Sequence, residues 1–137
     1  MSPPPVWIDA RAILFLHDES LAMFGGARGL RDAGLFESAL SRPVNQHLYK
    51  PDSDIAELAA AYAFGLAKNH PFVDGNKRTA FLALGLFVAL NGCRLETTQL
   101  DAIETMLSLA TGTLDEGDLA NWIRERIQTQ NELVAEK

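Results

Sequence analysis

Apolar residues recur along most of the chain at three- and four-residue intervals, which is the spacing of helices that bury one face. The pattern predicts six helices, over approximately these ranges: 10–24, 35–42, 53–69, 76–91, 98–110 and 116–127. His17 lies on the apolar stripe of the first helix and is expected to be a histidine at the edge of the core. The predicted fold class is all-α, in a single domain.

Several local features of this pattern are specific enough to check. Pro43 lacks an amide N–H and is expected to end the second helix, which leaves residues 43–52 as a loop. Thr113 and Glu116 stand at the spacing of a capping box for the last helix. Residues 93–96 are expected to be short and extended. The residues of the fifth helix that are expected to face inward are Leu100, Ile103, Leu107 and Ala110.

The fourth predicted helix, residues 76–91, is apolar on every side. Such a helix is usually buried, so it is predicted to be the central helix of the fold. Just before it and in its first turn lies a polar cluster, residues 70–79, with a histidine, a carboxylate, a glycine and two cations. A helix N-terminus presents unpaired N–H groups and a partial positive charge, which together suit a phosphate group.

Length and composition narrow the possible functions. The chain of 137 residues is long enough for one domain with a single core. Its formal net charge of -6 argues against a general nucleic-acid binder. Cys93 is the only cysteine, which excludes an internal disulfide and a cysteine-based metal site. Residues 1–5 lack the features of a signal peptide, and residues 80–90 are too few to span a bilayer. We therefore expect a cytoplasmic protein that binds neither membranes nor nucleic acid directly, with flexible ends over residues 1–5 and about 129–137.

The polar cluster contains the groups that phosphoryl-type transfer requires. His70 is a candidate base for a hydroxyl group. Asp74 is a candidate ligand of Mg²⁺, which prefers oxygen ligands and keeps several waters. The candidate phosphate-binding residues are Gly75, Asn76, Lys77 and Arg78.

The same residues also have a purely structural interpretation. Asp74 would then be only an N-cap, Pro71 only a helix stop, and His70 only a cation at a helix C-terminus. Lys77 and Arg78 count against this alternative, because the helix dipole disfavours cations in a first turn.

A glycine-rich segment, residues 25–36, is predicted to be a loop. It contains four glycines and two arginines, so it is expected to be mobile and able to contact anions or carboxylates. The alternative is an ordinary solvated connector.

The stretch His70-Pro71-Phe72-Val73-Asp74-Gly75-Asn76-Lys77-Arg78 resembles the signature of the Fic/Doc superfamily, His-Pro-Phe-x-Asp/Glu-Gly-Asn-x-Arg. The surrounding chain is similar to the small death-on-curing (Doc) toxin branch, including residues 29–40 and the pair Arg42-Pro43. The resemblance covers most of the chain.

The resemblance implies an all-α Fic core, a helical bundle built around the helix that follows the motif. It implies that His70 is the base and that Asp74 holds Mg²⁺. The implied contacts to ATP are Gly75, Asn76, Lys77 and Arg78. Residues 25–36 fall where the family has its target-docking flap, and the candidate contacts there are Arg28, Arg31 and Asp32.

Two residues distinguish this chain from the larger Fic enzymes, which transfer AMP to a protein. Lys77 stands where those enzymes usually have glycine, and Phe81 stands where they have a second arginine. Doc-type toxins share the lysine, and they are similar to kinases that place the γ-phosphate of ATP on a threonine of elongation factor Tu, which arrests translation. The resemblance thus implies a toxin that uses ATP and Mg²⁺. AMP transfer and a non-catalytic binding module are the alternatives.

The self-inhibitory motif of the superfamily, Ser/Thr-x-x-x-Glu-Gly/Asn, has no match in the chain. Glu116-Gly117 comes nearest, but Gly112 stands four residues before Glu116. An inhibitor from a separate chain is therefore expected. In Doc systems it is a Phd-type antitoxin, whose disordered tail folds as a helix into a groove of the toxin.

Overall fold

The computed structural model describes residues 3–129, which form six helices and one antiparallel sheet of two short strands. In chain order the elements are α1 (Ala10–Phe24), α2 (Ala33–Tyr49), α3 (Ile55–Asn69), α4 (Asn76–Leu90), β1 (Cys93–Leu95), α5 (Gln99–Thr111), α6 (Glu116–Arg124) and β2 (Ile127–Thr129). The all-α fold class is confirmed. Of the ends predicted to be flexible, residues 1–2 and 130–137 lie outside the described residues, residues 3–5 belong to no helix or strand, and residue 129 is the last residue of β2. None of the described helices is long and apolar enough to cross a membrane.

The centre of the fold is α3, which packs against α2, α4, α5 and α6. Ten of its fifteen residues are buried, compared with seven of fifteen in α4. Small side chains allow its neighbours to approach closely: a Cβ built on Gly65 would lie only 3.1 Å from Cα of Ala39 in α2. Because α3 occupies the enclosed position, α4 is buried on one face only. Phe81 and Leu86 are half-buried and Leu90 is exposed, so the prediction that α4 is buried on every side is wrong in this respect.

The second helix does not stop at Pro43. α2 continues to Tyr49, so most of the predicted loop over residues 43–52 is helical. At its other end, α2 begins at Ala33, inside the segment 25–36 that was predicted to be a loop. Proline removes one helical hydrogen bond, but Pro43 is buried on the same face as Ala39, and the packing of this face against α3 outweighs the loss.

The predicted inward face of α5 is also wrong. Leu100, Ile103 and Leu107 are 66%, 49% and 48% exposed, and Ala110 is half-buried. The buried residues of α5 are Ala102, Thr105, Met106 and Leu109. Both stripes have helical spacing, so the apolar pattern did not distinguish them. In the observed orientation, the Asp101 carboxylate accepts hydrogen bonds from Trp122 Nε1 at 3.3 Å and from Arg126 Nε at 2.8 Å.

The C-terminal part differs from the prediction in two details. The capping box of α6 is formed by Asp115 and Asp118, not by Thr113 and Glu116, and the Glu116 carboxylate forms an ion pair with Arg42. Residue 127 belongs to β2, which pairs with β1 between Cys93 and Thr129, rather than to the last helix. The extended conformation predicted for residues 93–96 is confirmed over β1.

Candidate active site

The polar cluster forms the connection between α3 and α4. α3 ends at Asn69, and His70 caps it in the left-handed conformation, with φ 53° and ψ 53°. Within the described residues it is the one non-glycine residue with positive φ. Gly75, with φ 78°, is the N-cap of α4, which begins at Asn76. These two left-handed residues turn the chain sharply at both ends of a four-residue connection, and this brings His70 and Asp74 to one cleft.

The N-terminus of α4 differs from that of every other described helix. Gly75 offers no side chain, so no side-chain group caps the first-turn amides. Each of the other helices has a side-chain oxygen that accepts from an amide in its first turn, provided by Asp9, Asp32, Asp54, Thr98 and Asp115. The open N-terminus of α4 therefore presents N–H groups to the cleft.

The side chain of Asn76 holds the connection together. Its Oδ1 accepts from the amide of Phe72 at 2.9 Å, and its Nδ2 donates to the carbonyl of Phe72 at 2.9 Å. Asn76 is 3% exposed, so these hydrogen bonds are shielded from water. The side chain thus closes the turn on itself, and it is not directed at the cleft as a free donor.

The second hydrogen of the Asn76 amide is directed at His70. Asn76 Nδ2 lies 3.1 Å from His70 Nδ1. The orientation of the Asn76 side-chain amide follows from its partners, because the backbone N–H of Phe72 must face the Asn76 oxygen and not its nitrogen. His70 Nδ1 is therefore the acceptor, and the neutral ring carries its proton on Nε2. The imidazole is exposed and lines the cleft.

Asp74 is held by backbone donors. Oδ1 accepts from the amide of Gly75 at 2.8 Å, and Oδ2 accepts from the amide of Ala27 at 3.3 Å. These two N–H groups lower the pKa of Asp74 below its usual value, and the nearby charges of Arg78 and Lys77 lower it further. Gly26 closes over this carboxylate: a Cβ built there would lie 2.8 Å from Oδ2. The carboxylate is therefore ionised at neutral pH and fixed in place.

His17 supports the same segment from α1, and its role was not predicted. Its ring is 2% exposed and stacks on Phe72, with 3.8 Å between ring centroids. Its Nε2 donates to the backbone carbonyl of Asp74 at 2.8 Å. Burial at the core was expected from the helical spacing and is confirmed. The hydrogen bond spans 57 residues of sequence, and no local pattern indicates it.

The two cations of the first turn have different surroundings. Arg78 is fixed: its guanidinium lies 4.4 Å above the ring of Phe24, and Nη1 donates to Ser20 Oγ at 3.3 Å. Lys77 is exposed at the edge of the cleft. The cleft has a volume of about 370 Å³, and its lining residues are Phe24, Gly25, Gly26, His70, Asp74, Gly75, Asn76, Lys77 and Arg78. All the predicted catalytic, metal-binding and phosphate-binding residues thus lie together.

The segment predicted to be a flap, residues 25–36, is only partly free to contact a partner. Residues 29–32 pair with the active-site connection, because Val73 N donates to Gly29 O at 3.0 Å and Arg31 N donates to Pro71 O at 2.6 Å. The Arg31 guanidinium also bonds to backbone carbonyls, and the Asp32 carboxylate caps α2. Arg28 is exposed and makes no hydrogen bond within residues 3–129. Of the three candidate contacts, only Arg28 has a side chain fully available for a partner.

A model of the Fic/DOC family matches residues 7–88, which is more than half of the chain. The chain belongs to the Fic/DOC family.

Two named proteins are similar in sequence to this chain. The protein named "Protein kinase doc", from Escherichia phage P1, is 29% identical over 117 residues, or 85% of this chain and 92% of that protein. The protein named "Toxin Doc", from Mycolicibacterium smegmatis, is 43% identical over 74 residues, or 53% of this chain and 56% of that protein. The family match includes the whole active-site connection, whereas α5 and α6 lie beyond it.

Proposed function

We propose that this Fic/DOC protein is a toxin that transfers the γ-phosphoryl group of ATP to a hydroxyl group of a protein, with a threonine of elongation factor Tu as the target. The observation that carries the proposal is the open N-terminus of α4, which has two cations in its first turn, beside an exposed imidazole and a fixed carboxylate. An uncapped first turn with cations suits a phosphate chain. The similarity to a protein named as a kinase supports the choice of reaction.

The proposed reaction is a single displacement. The target hydroxyl oxygen forms a bond to the γ-phosphorus, the bond between that phosphorus and the β,γ-bridging oxygen breaks, and ADP leaves. His70 takes the hydroxyl proton. In the free protein the neutral ring carries its own proton on Nε2, because Asn76 donates to Nδ1. To take the hydroxyl proton, the ring must therefore either move its own proton to Nδ1, which frees Nε2, or turn away from Asn76, which frees Nδ1.

Asp74 fits the proposed Mg²⁺ ligand. Each of its oxygens accepts one backbone N–H, which leaves further lone pairs for a cation, and its lowered pKa keeps it ionised. Within residues 3–129 there is no group of three or more His, Cys, Asp or Glu side chains that could form a metal site. A cation at Asp74 would thus take its other ligands from phosphate oxygens and water, which is the usual arrangement for Mg²⁺. When bound, Mg²⁺ would neutralise charge on the phosphate chain.

Lys77 and Phe81 favour the γ-phosphoryl group over AMP as the group transferred. The exposed Lys77 side chain stands beside the open N–H groups of the first turn, where it neutralises the end of a phosphate chain and competes with an α-phosphate for space. Phe81 is half-buried against the core and offers no second cation for the outer phosphates.

The proposed partner is an antitoxin of the Phd type, whose tail folds as a helix on the toxin. The similarity to a protein named "Toxin Doc" supports an antitoxin in general. Exposed apolar side chains near the cleft support a contact with such a helix, since Met23 and Phe24 at the C-terminal end of α1 are 80% and 62% exposed. Phe24 also lines the cleft, so a helix bound there would cover one side of its opening.

Expression in a bacterial host tests the proposed toxin function. The wild-type chain is expected to arrest growth and protein synthesis, and His70→Ala is expected to accumulate in folded form without arrest. His47→Ala serves as the matched control, because His47 lies in α2 and does not line the cleft. Growth arrest by folded His70→Ala, or its absence with wild type, would contradict the proposal.

A further inference from the structure

His70 lies in the left-handed backbone conformation, which has an energetic cost for any residue with a Cβ. A side chain with a Cβ seldom adopts the left-handed region, and His70 lies there with φ 53° and ψ 53°. Such a conformation persists only where surrounding contacts hold it. The contacts on the ring itself do not suffice for this, because the Asn76 amide touches only the imidazole and the Phe72 backbone.

Arg31 supplies contacts to the backbone on both sides of this residue. Its Nε donates to the carbonyl of His70 at 2.7 Å, and its Nη2 donates to the carbonyl of Asn69 at 2.9 Å. Its own amide donates to the carbonyl of Pro71 at 2.6 Å. One residue thus binds three successive carbonyls, 69 to 71, and the left-handed residue is the middle one.

The position of the guanidinium is electrostatically favourable. The last carbonyls of a helix lack intrahelical partners and carry a partial negative charge. The last turn of α3 contains Lys68, but its ammonium is directed to the carbonyl of Ala110 in α5. Arg31 is therefore the cation that satisfies the end of α3, and its planar fork allows it to reach two carbonyls at once.

We infer that Arg31 is a positioning residue for His70: it fixes the left-handed backbone that directs the imidazole into the cleft. The inference rests on the proposed function, in which His70 takes the proton of the target hydroxyl. It gives Arg31 a role different from that of Arg28 on the same segment, which is exposed and free to contact a target protein.

Kinetics of phosphoryl transfer separate positioning from docking. The variants are Arg31→Ala, Arg31→Lys and, as a matched control three residues away, Arg28→Ala, each assayed with ATP, Mg²⁺ and elongation factor Tu. Arg31→Ala is expected to lower kcat by about tenfold or more, with KM for the protein target changed by less than about twofold, because a displaced base slows the chemical step. Arg31→Lys is expected to recover part of kcat, since an ammonium can still reach one carbonyl. A raised KM with unchanged kcat in Arg31→Ala would assign the residue to docking and overturn the inference.

Addition of guanidinium compounds distinguishes positioning from a general loss of structure. Ethylguanidinium added to Arg31→Ala is expected to raise kcat, because it can occupy the vacated site between the carbonyls of residues 69 and 70. The same addition is expected to leave the kcat of Arg28→Ala unchanged. No rescue, combined with a kcat loss that tracks the unfolded fraction measured by circular dichroism, would reduce Arg31 to a stabilising residue and overturn the inference.

A readout without turnover keeps the inference separate from the proposed function. The ¹³Cα and ¹³Cβ chemical shifts of His70 report its backbone conformation. They are expected to leave the left-handed range in Arg31→Ala and to keep wild-type values in Arg28→Ala. If wild type transfers no phosphate, the proposed function fails, and these shifts alone decide on Arg31. Unchanged His70 shifts in Arg31→Ala would overturn the inference whatever the activity.

Discussion

Asn76 donates a side-chain N–H to Nδ1 of His70 across 3.1 Å, and this contact sets the tautomer of the candidate base. We predict that neutral His70 in the free protein carries its proton on Nε2, because the other hydrogen of the same amide is held by the carbonyl of Phe72. A long-range ¹H–¹⁵N correlation spectrum of the imidazole distinguishes the two tautomers. A dominant Nδ1–H form would contradict the hydrogen-bond assignment. With a nucleotide and target bound, the ring is expected to leave this state.

Gly26→Ala is predicted to weaken binding of Mg²⁺–ATP by about tenfold or more. The added Cβ would lie 2.8 Å from Asp74 Oδ2 and 2.9 Å from Leu21 Cδ2, so the carboxylate must move. The matched control is Gly25→Ala. Both glycines have positive φ, so an alanine is strained at either position, but a Cβ on Gly25 meets nothing within 4 Å. Calorimetric titration of both variants with ATP and Mg²⁺ measures the difference, and equal affinities would show that the Gly26 contact does not position Asp74.

Replacement of His17 tests the support from α1. His17→Phe keeps a ring to stack on Phe72 but removes the donor to the Asp74 carbonyl, so the free energy of unfolding is expected to fall by about 1–2 kcal/mol. His47→Phe is the control: its Nδ1 is buried without a hydrogen-bond partner among the described residues, and its loss is expected to leave stability unchanged or raised. Urea denaturation of the three proteins measures both effects. Equal stability of His17→Phe and wild type would show that the hydrogen bond contributes nothing.

The pH dependence of stability tests the environment of Asp74. The Gly75 and Ala27 amides lower its folded pKa below the unfolded value, so its contribution to stability is present above the unfolded pKa and is lost as pH falls through the folded pKa. The difference in unfolding free energy between wild type and Asp74→Asn is therefore expected to be constant between about pH 5 and 8 and to shrink below about pH 4. A difference that grows as the pH falls would contradict the direction of the pKa shift.

Asp74→Asn is also expected to weaken Mg²⁺-dependent ATP binding sharply. Calorimetric titration with ATP and Mg²⁺ measures this effect, and an unchanged affinity would count against Asp74 as a metal ligand.

The sequence allowed the active-site connection to be predicted because its parts are contiguous. Pro71 and Gly75 mark the end of one helix and the start of the next. His70 directly precedes Pro71, and Asp74 directly precedes Gly75. Four residues of connection cannot carry them far apart. Local signals therefore sufficed to place the predicted site residues in a single cleft.

Contacts between distant segments were beyond such signals. His17 and Asp74 are joined by a hydrogen bond across 57 residues, and Arg31 reaches His70 across 39. Both depend on how α1 and the flap pack, which no local pattern encodes. The prediction of the buried face of α5 was wrong for a related reason. Two stripes had equal helical spacing, and the observed face brings Asp101 to hydrogen-bond partners in and just beyond α6, which no local pattern indicates.

The central claim is that the γ-phosphoryl group of ATP is transferred, and a pair of labelling reactions tests it most directly. Purified wild type is incubated with bacterial lysate proteins and ATP labelled at either the α- or the γ-phosphate. Label from the γ-position is expected on a protein hydroxyl, and label from the α-position is not. Lys77→Gly is expected to lose most of the γ-transfer and to gain AMP transfer only when Phe81→Arg is added, because charge on the transferring group must still be neutralised. Transfer of the α-label without the γ-label by wild type would contradict the claim and assign AMP transfer to this site.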